Sequence, residues 1–399
     1  MIVVAGHICL DITPALRYDT TVLAEVFKPG RLFEIGPALL TTGGCVSNTG
    51  LALHKLGIPV QLMARVGDDA FGKAILDIID THNHSPGDGI RVSSGEQTSY
   101  SVILSVPHAD RTVLHYPGAN ETFAADDIDY EAVSQARIFH FGYPPAMKRM
   151  YENNDAELVE IFRRAKQSGA MTSLDMVMPD PAAPSGQANW ASILKNVLPF
   201  VDVFMPSIEE ILLMLEPHLF NKLNTRGGAR GFLSYLSPDS FSQMADRLLD
   251  MGASIVGLKA GHRGLYLRTG ELVDSLSTFD YQSWSNRELW APCFKVEVRG
   301  TTGAGDATIA GFLFALVRDC TPAEALTAAV ATGACNVEAI DAVSGTLPWP
   351  QMQARIADGW EQCDLNLDAP GWSFDTELSL WRGPHDRLKS DSLRGAIAV

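Results

Sequence analysis

The chain has 399 residues, 46% hydrophobic and 20% charged, with 47 acidic against 31 basic residues and a formal charge of −16. That length and apolar content support a sizeable buried core and exclude disorder as the dominant state. The acidic excess, with no block of consecutive Lys or Arg, argues against nucleic acid or an anionic membrane surface as partner, and no apolar run reaches the roughly 18 to 20 residues that span a bilayer.

Residues 1–11 are apolar, lack a positive flank and end on Asp11, which reads as a buried first strand rather than a signal peptide. Cys9, Cys45, Cys293, Cys320, Cys335 and Cys363 form no CxxC pair and mostly sit in apolar segments, the usage of a reducing cytoplasm. No Cys/His spacing points to zinc, and His7 and His140 read as structural.

Short β-branched runs at 2–5, 60–66, 136–141, 171–174, 201–205 and 254–258 alternate with stretches of helical period at 47–56, 71–81, 156–168 and 239–251. This pattern predicts a doubly wound α/β domain with a mostly parallel sheet. Residues 98–116 break it, reading as two strands around a Pro107-His108-Ala109-Asp110 turn. Such a hairpin has no parallel slot to fill, so it should project from the sheet edge as a small β lid or partner contact, and residues 14–39 could add strands to it. Residues 178–191 and 217–239, the latter with Gly227, Gly228 and Gly231, read as surface excursions. Beyond about residue 349 the chain turns polar, which separates a main domain over 1–350 from a C-terminal extension over 351–399.

The most informative segment is Gly300-Thr301-Thr302-Gly303-Ala304-Gly305-Asp306, followed by Ile309, Phe312, Leu313 and Leu316 at helical spacing. A glycine-rich turn thus opens into an amphipathic helix, whose free N–H groups can converge with those of Gly303, Ala304 and Gly305 on an anion. It lacks the Lys of a GxxxxGK[ST] loop and does not fit GxGxxG. It carries instead a carboxylate beside the place where a transferred phosphoryl group would rest. An ordinary Asp is ionised at neutral pH, so Asp306 suits a base for a substrate hydroxyl; the plain alternative is a helix N-cap.

Residues 301–306 and their helix resemble the second signature of the ribokinase-like (PfkB) carbohydrate kinases. Gly43-Gly44-Cys45-Val46-Ser47-Asn48-Thr49-Gly50, then Leu56-Gly57 and Gly67-Asp68-Asp69-Ala70-Phe71-Gly72, are similar to the first. Pro117-Gly118-Ala119-Asn120 and Lys259-x-Gly261-x-x-Gly264 follow in the family's order. The resemblance implies a three-layer α/β/α fold with a β lid, here 14–39 and 98–116, and ATP-dependent transfer to a hydroxyl of a sugar or sugar-like molecule. A nucleoside kinase and a non-catalytic sugar- or nucleotide-binding protein on the same fold are the alternatives.

By resemblance, Asp306 is the catalytic base and Gly303, Ala304 and Gly305 form the anion hole. Asp11, Gly43, Gly44 and Asn48 lie in the substrate pocket, Thr302, Lys259, Gly261 and Gly264 lie along the nucleotide, and Glu210 acts indirectly on Mg²⁺. A homodimer through the lid is a further implication. Three positions depart from the family pattern. Gly300 replaces an Asp associated with a monovalent cation, so that cation lacks its usual carboxylate. Ser207 replaces an Asn before Glu210, and Asp175-Met176-Val177-Met178-Pro179 lacks the amide and guanidinium of D-x-N-x-R. Arg111 is the obvious cation for a phosphorylated substrate but reads as a surface lid residue, which favours an unphosphorylated one.

Overall fold

The chain builds two sheets. The structure is a computed structural model that describes residues 1–16, 29–30, 32–82, 86–105, 111–272 and 280–387. Strands β1 (Ile2–Gly6), β4 (Val60–Gly67), β5 (Gly89–Ser93), β8 (Ile138–Gly142), β9 (Met171–Asp175), β10 (Val203–Phe204) and β11 (Ile255–Lys259) pair in parallel, in the order β11-β10-β9-β8-β1-β4-β5. Beyond β11 the sheet turns antiparallel through β12 (Leu265–Thr269) and β13 (Glu288–Ala291). Each run expected to be a strand is one, to within a few residues.

Strand residues alternate between two cores, because successive side chains point to opposite faces. Ile2, Val4, Leu62 and Ala64 pack with the helices Cys45–Lys55, Ala304–Val317 and Pro322–Asn336. Val3, Ala5 and Met63 pack on the other side with Ala156–Gln167, Trp190–Val197 and Pro238–Asp250. The fold is therefore the expected three-layer α/β/α sandwich with a mostly parallel sheet. The Ala304–Val317 helix is not amphipathic as its spacing suggested. Ala307, Ala310, Gly311 and Ala315 are as buried as Ile309 and Phe312, since the helix runs between two others and its small residues admit close approach. A Cβ on Gly311 would lie 2.4 Å from the Ala328 carbonyl oxygen.

The small sheet has the order β3-β2-β6-β7, from β2 (Cys9–Pro14), β3 (Ala38–Gly43), β6 (Tyr100–Leu104) and β7 (Thr112–Tyr116). The hairpin is present, with Tyr100 opposite Tyr116 and Leu104 opposite Thr112; its expected turn at 107–110 lies outside the described residues. The additional lid strands flank the 14–39 segment more than they fill it, and residues 17–28 and 31 within it are outside the description. Asp11 does not end the first strand. The chain leaves the main sheet at Gly6 and enters the lid sheet at Cys9, so Asp11 is a lid-sheet residue beside the junction.

Part of the expected 217–239 surface excursion and part of the C-terminal extension pack into the body of the fold. Residues 217–231 form a helix despite their glycines, with Leu223 and the following Phe232 and Leu233 in the core; apolar burial outweighs a glycine cost of about 1 kcal/mol each. After the helix Trp349–Ala357, β14 (Ser373–Asp375) and β15 (Leu380–Arg382) extend the main sheet antiparallel to β13. Trp372 packs on Tyr266 and Trp290, and Arg287 pairs with Asp386 at 2.6 Å with both side chains buried.

Candidate active site

At the mouth of the Ala304–Val317 helix, Gly303 adopts φ 72, and a Cβ there would lie 2.6 Å from Ala342 Cβ and 2.7 Å from the Ala342 carbonyl oxygen. Backbone conformation and space both require glycine. The first-turn amides of Ala304, Gly305 and Asp306 have no acceptor within the helix, and that of Ala304 makes a long bond of 3.4 Å back to the Thr301 carbonyl oxygen. A side chain at Gly305 would come 3.4 Å from Lys259 Nζ, so the ammonium reaches the same turn from the end of β11.

Asp306 is 2% exposed and held by three donors: Asn48 Nδ2 at 3.0 Å and the Tyr143 hydroxyl at 2.8 Å to Oδ2, and Thr49 Oγ1 at 3.3 Å to Oδ1. Burial pushes its carboxyl above the ordinary value, while Asn48, Tyr143 and the Lys259 charge pull it back. Tyr143 follows β8 with φ 66, left-handed for a residue that is not glycine, and its phenol stays protonated because burial and the Asp306 charge both raise it. Tyr143 lies in none of the motifs, and Thr49 lies in the Gly43–Gly50 run with no role expected of it.

Across the cavity, Asp11 is 6% exposed, and a Cβ on Gly43 would fall 2.2 Å from Asp11 Oδ2, so Gly43 makes room for that carboxylate. Burial raises the Asp11 carboxyl; Cys9, Ser101 and Arg111 oppose the shift. Gly44, φ 85, starts the Cys45–Lys55 helix and leaves space for the His7 ring. Asp11, Gly44, Asn48, Tyr143, Thr302 and Gly303 line one cavity of about 760 Å³ that runs from the lid to the glycine turn. Arg111 also lines it and donates from Nη1 to Thr301 Oγ1 at 3.0 Å, so this exposed residue beside β7 bridges lid and turn. Another cavity of 820 Å³, between Trp349, Trp360 and the Pro322–Asn336 helix, is mostly apolar and remote from Asp306.

Behind the turn, Lys259 Nζ binds Asp175 Oδ1 at 2.6 Å. Burial alone would lower the ammonium, and the Asp175 and Glu210 carboxylates more than reverse it. Glu210 Oε2 accepts the Ser207 N–H at 2.7 Å, so the Ser that replaces Asn forms a capping box with it. Gly300 has no room for a carboxylate as packed, because a Cβ would lie 2.8 and 2.9 Å from the Ala339 and Ile340 carbonyl oxygens. Gly261 and Gly264 do not line the cavity. Their positive φ values, 52 and 90, and the Ala291 oxygen 1.9 Å from a Gly264 Cβ account for glycine through the β11–β12 turn itself.

Comparison with known proteins gives the family. An uncharacterized sugar kinase of Archaeoglobus fulgidus is 24% identical over 268 residues, covering 67% of this chain and 87% of its own length. A probable chloroplastic fructokinase-6 of Arabidopsis thaliana is 24% identical over 356 residues, covering 87% and 79%. The structure of an Arabidopsis thaliana ribokinase complexed with ribose and ATP shares the fold, with a TM-score of 0.64 at 20% identity over 88% of this chain and 97% of that one. The family model described as pfkB family carbohydrate kinase matches residues 15–350, which include Asn48 and the Gly303–Asp306 turn, and the chain therefore belongs to the pfkB family of carbohydrate kinases.

Proposed function

We propose that this carbohydrate kinase moves the γ-phosphate of ATP to a hydroxyl of an unphosphorylated sugar or sugar-like molecule, with Asp306 as the base. The observation that carries the reading is a buried carboxylate, oriented by Asn48, Thr49 and Tyr143, at a helix mouth that opens into the same cavity as Asp11.

ATP supplies the phosphoryl group, and Mg²⁺ the charge that draws electron density from it. The residues fit both. The amides of Gly303, Ala304 and Gly305 and the Lys259 ammonium offer donors and positive charge to an anion, while Asp175, Glu209 and Glu210 supply the oxygen donors a hard cation takes, directly or through water. Thr302 lies where the cavity meets the turn and Glu210 acts behind Lys259; Gly261 and Gly264 shape the neighbouring turn along the nucleotide. Asp11 and Asn48 hold substrate hydroxyls, and Asp306 Oδ2 accepts the proton of the attacking hydroxyl as that hydroxyl takes over a position now filled by a neighbouring donor. Arg111, bridging to Thr301, keeps the lid closed and water out of the cavity.

Asp306→Asn keeps the shape and removes the base. Turnover in an ADP-release assay across sugars, sugar acids and polyols should fall by orders of magnitude while ATP still binds; unchanged turnover would remove Asp306 from this role. The lid also offers a dimer contact, since Leu39, Leu40, Val113 and Leu114 are each about half exposed on it. Leu114→Glu should convert a dimer to monomer in analytical ultracentrifugation, and a native protein that sediments as a monomer would exclude the contact.

A further inference from the structure

Three side chains with metal-binding atoms converge where the lid leaves the body. His7 lies between β1 and β2, Cys9 opens β2, and His115 stands on β7. Their ligand atoms all fall within 4.8 Å of one another, and the two imidazole Nε2 atoms are 3.3 Å apart. Nitrogens bound at about 2.0–2.1 Å to one tetrahedral ion are separated by about 3.3–3.4 Å, so the observed spacing admits an ion between them.

The surroundings orient these ligands. Ser101 Oγ lies 3.1 Å from His115 Nδ1, which leaves Nε2 facing the cluster, and 3.6 Å from Cys9 Sγ. An outer partner of this kind fixes ring orientation at metal sites. His7 Nδ1 is buried without a hydrogen-bond partner, packed over Gly44, so Nε2 is the nitrogen available to a ligand. Asp11 Oδ1, which accepts from Cys9 Sγ at 3.3 Å, or a water from the cavity can complete the set. Two imidazoles and a thiol select a borderline-soft ion over the oxygen-seeking Mg²⁺.

We propose that His7, Cys9 and His115 form a site for a divalent zinc-class ion. On binding, the Cys9 S–H bond breaks, its proton passes to solvent, and the thiolate sulfur bonds the metal. Because His115 belongs to the lid and His7 to the strand end of the body, the ion ties the two together at the substrate cavity and holds the lid against opening. His115 is too far along the chain from His7 and Cys9 for any spacing motif to reveal the set.

The full-length metal-free protein is titrated with Co²⁺ alone, followed by absorbance, and with Zn²⁺ alone, followed by calorimetry. One Co²⁺ per chain, with a near-ultraviolet thiolate charge-transfer band and the visible bands of a tetrahedral ion, is expected. Cys9→Ser should abolish the charge-transfer band. His115→Ala, on an exposed strand where folding is least at risk, should weaken Zn²⁺ by more than the ~10–100-fold that loss of an outer partner costs. Far-ultraviolet circular dichroism establishes that each variant is folded. Co²⁺ bound without a thiolate band, or Zn²⁺ affinity unchanged by His115→Ala, would overturn the site. Binding is measured without substrate, so the result is independent of the phosphotransfer reading.

Discussion

The Tyr143 phenol donates at 2.8 Å to the carboxylate proposed as base, and Tyr143→Phe removes that bond while keeping the ring, which lies 6.0 Å from the His7 ring. A buried hydrogen bond to an ionised group contributes about 1.5–3 kcal/mol, and it favours the charged form of Asp306. Without it the carboxylate holds its proton to higher pH. Activity that needs the ionised base is lost as pH falls through the Asp306 transition, and the variant's acid limb must therefore begin at higher pH. At about 1.4 kcal/mol per factor of ten, kcat/KM on the acid side should fall by ~10–100-fold, with far less change on the alkaline side where the base is ionised in both proteins. The assay is a pH profile of kcat/KM for native and variant on the same substrate. A uniform loss at all pH values would mean that Tyr143 only shapes the cavity, and an acid limb that does not move would refute its action on the base.

Gly43→Ala places a Cβ where the Asp11 carboxylate now lies, so substrate KM should rise ~10–100-fold, from about 1–3 kcal/mol of overpacking, with kcat less affected; steady-state kinetics separate the two. Lys259→Met strands Asp175 without its counter-charge and should cost about 3–5 kcal/mol in urea unfolding, part of which Asp175→Leu restores in the double variant. His140 is fully buried, and burial, aided by the Lys259 charge, pushes its imidazole down to about 3. The folded state therefore resists protonation: its contribution is complete above an ordinary value near 6.5 and drains away as pH falls toward about 3. Between pH 7 and 5 the native protein should lose about 2 kcal/mol more than His140→Gln, measured by urea unfolding at both pH values.

The glycine turn and its aspartate are legible because the feature is local: the residues that shape the proposed anion site are adjacent in the chain, whereas the burial of the helix they open on every side is set by the helices around it. The parallel strands were legible for the same reason, as short β-branched runs buried on both faces. Tyr143 was not, since its role depends on a left-handed backbone that places β8's successor against a residue 163 positions later. Asp175 and Lys259 likewise meet only because β9 and β11 flank β10 in the sheet. The glycines of 217–231 point to a surface excursion because they are local signals, while Leu223, Phe232 and Leu233 are held by distant partners that the sequence does not mark. Asp11 was placed at the end of the first strand because no sequence feature marks where the chain passes from one sheet to the other at His7 and Ile8.

The ribbon formed by β14 and β15 has a consequence for solubility. Without it β13 would present an open ladder of backbone donors and acceptors, next to the large rings of Tyr266 and Trp290, to any other chain able to add a strand. The ribbon fills that ladder and ends in a strand of three residues, Ser373–Asp375, whose Asp375 is occupied by Arg382. A chain shortened at residue 350, where the family match ends, would expose this template. Self-association by strand addition is then the expected fault, ahead of any loss of chemistry at the glycine turn.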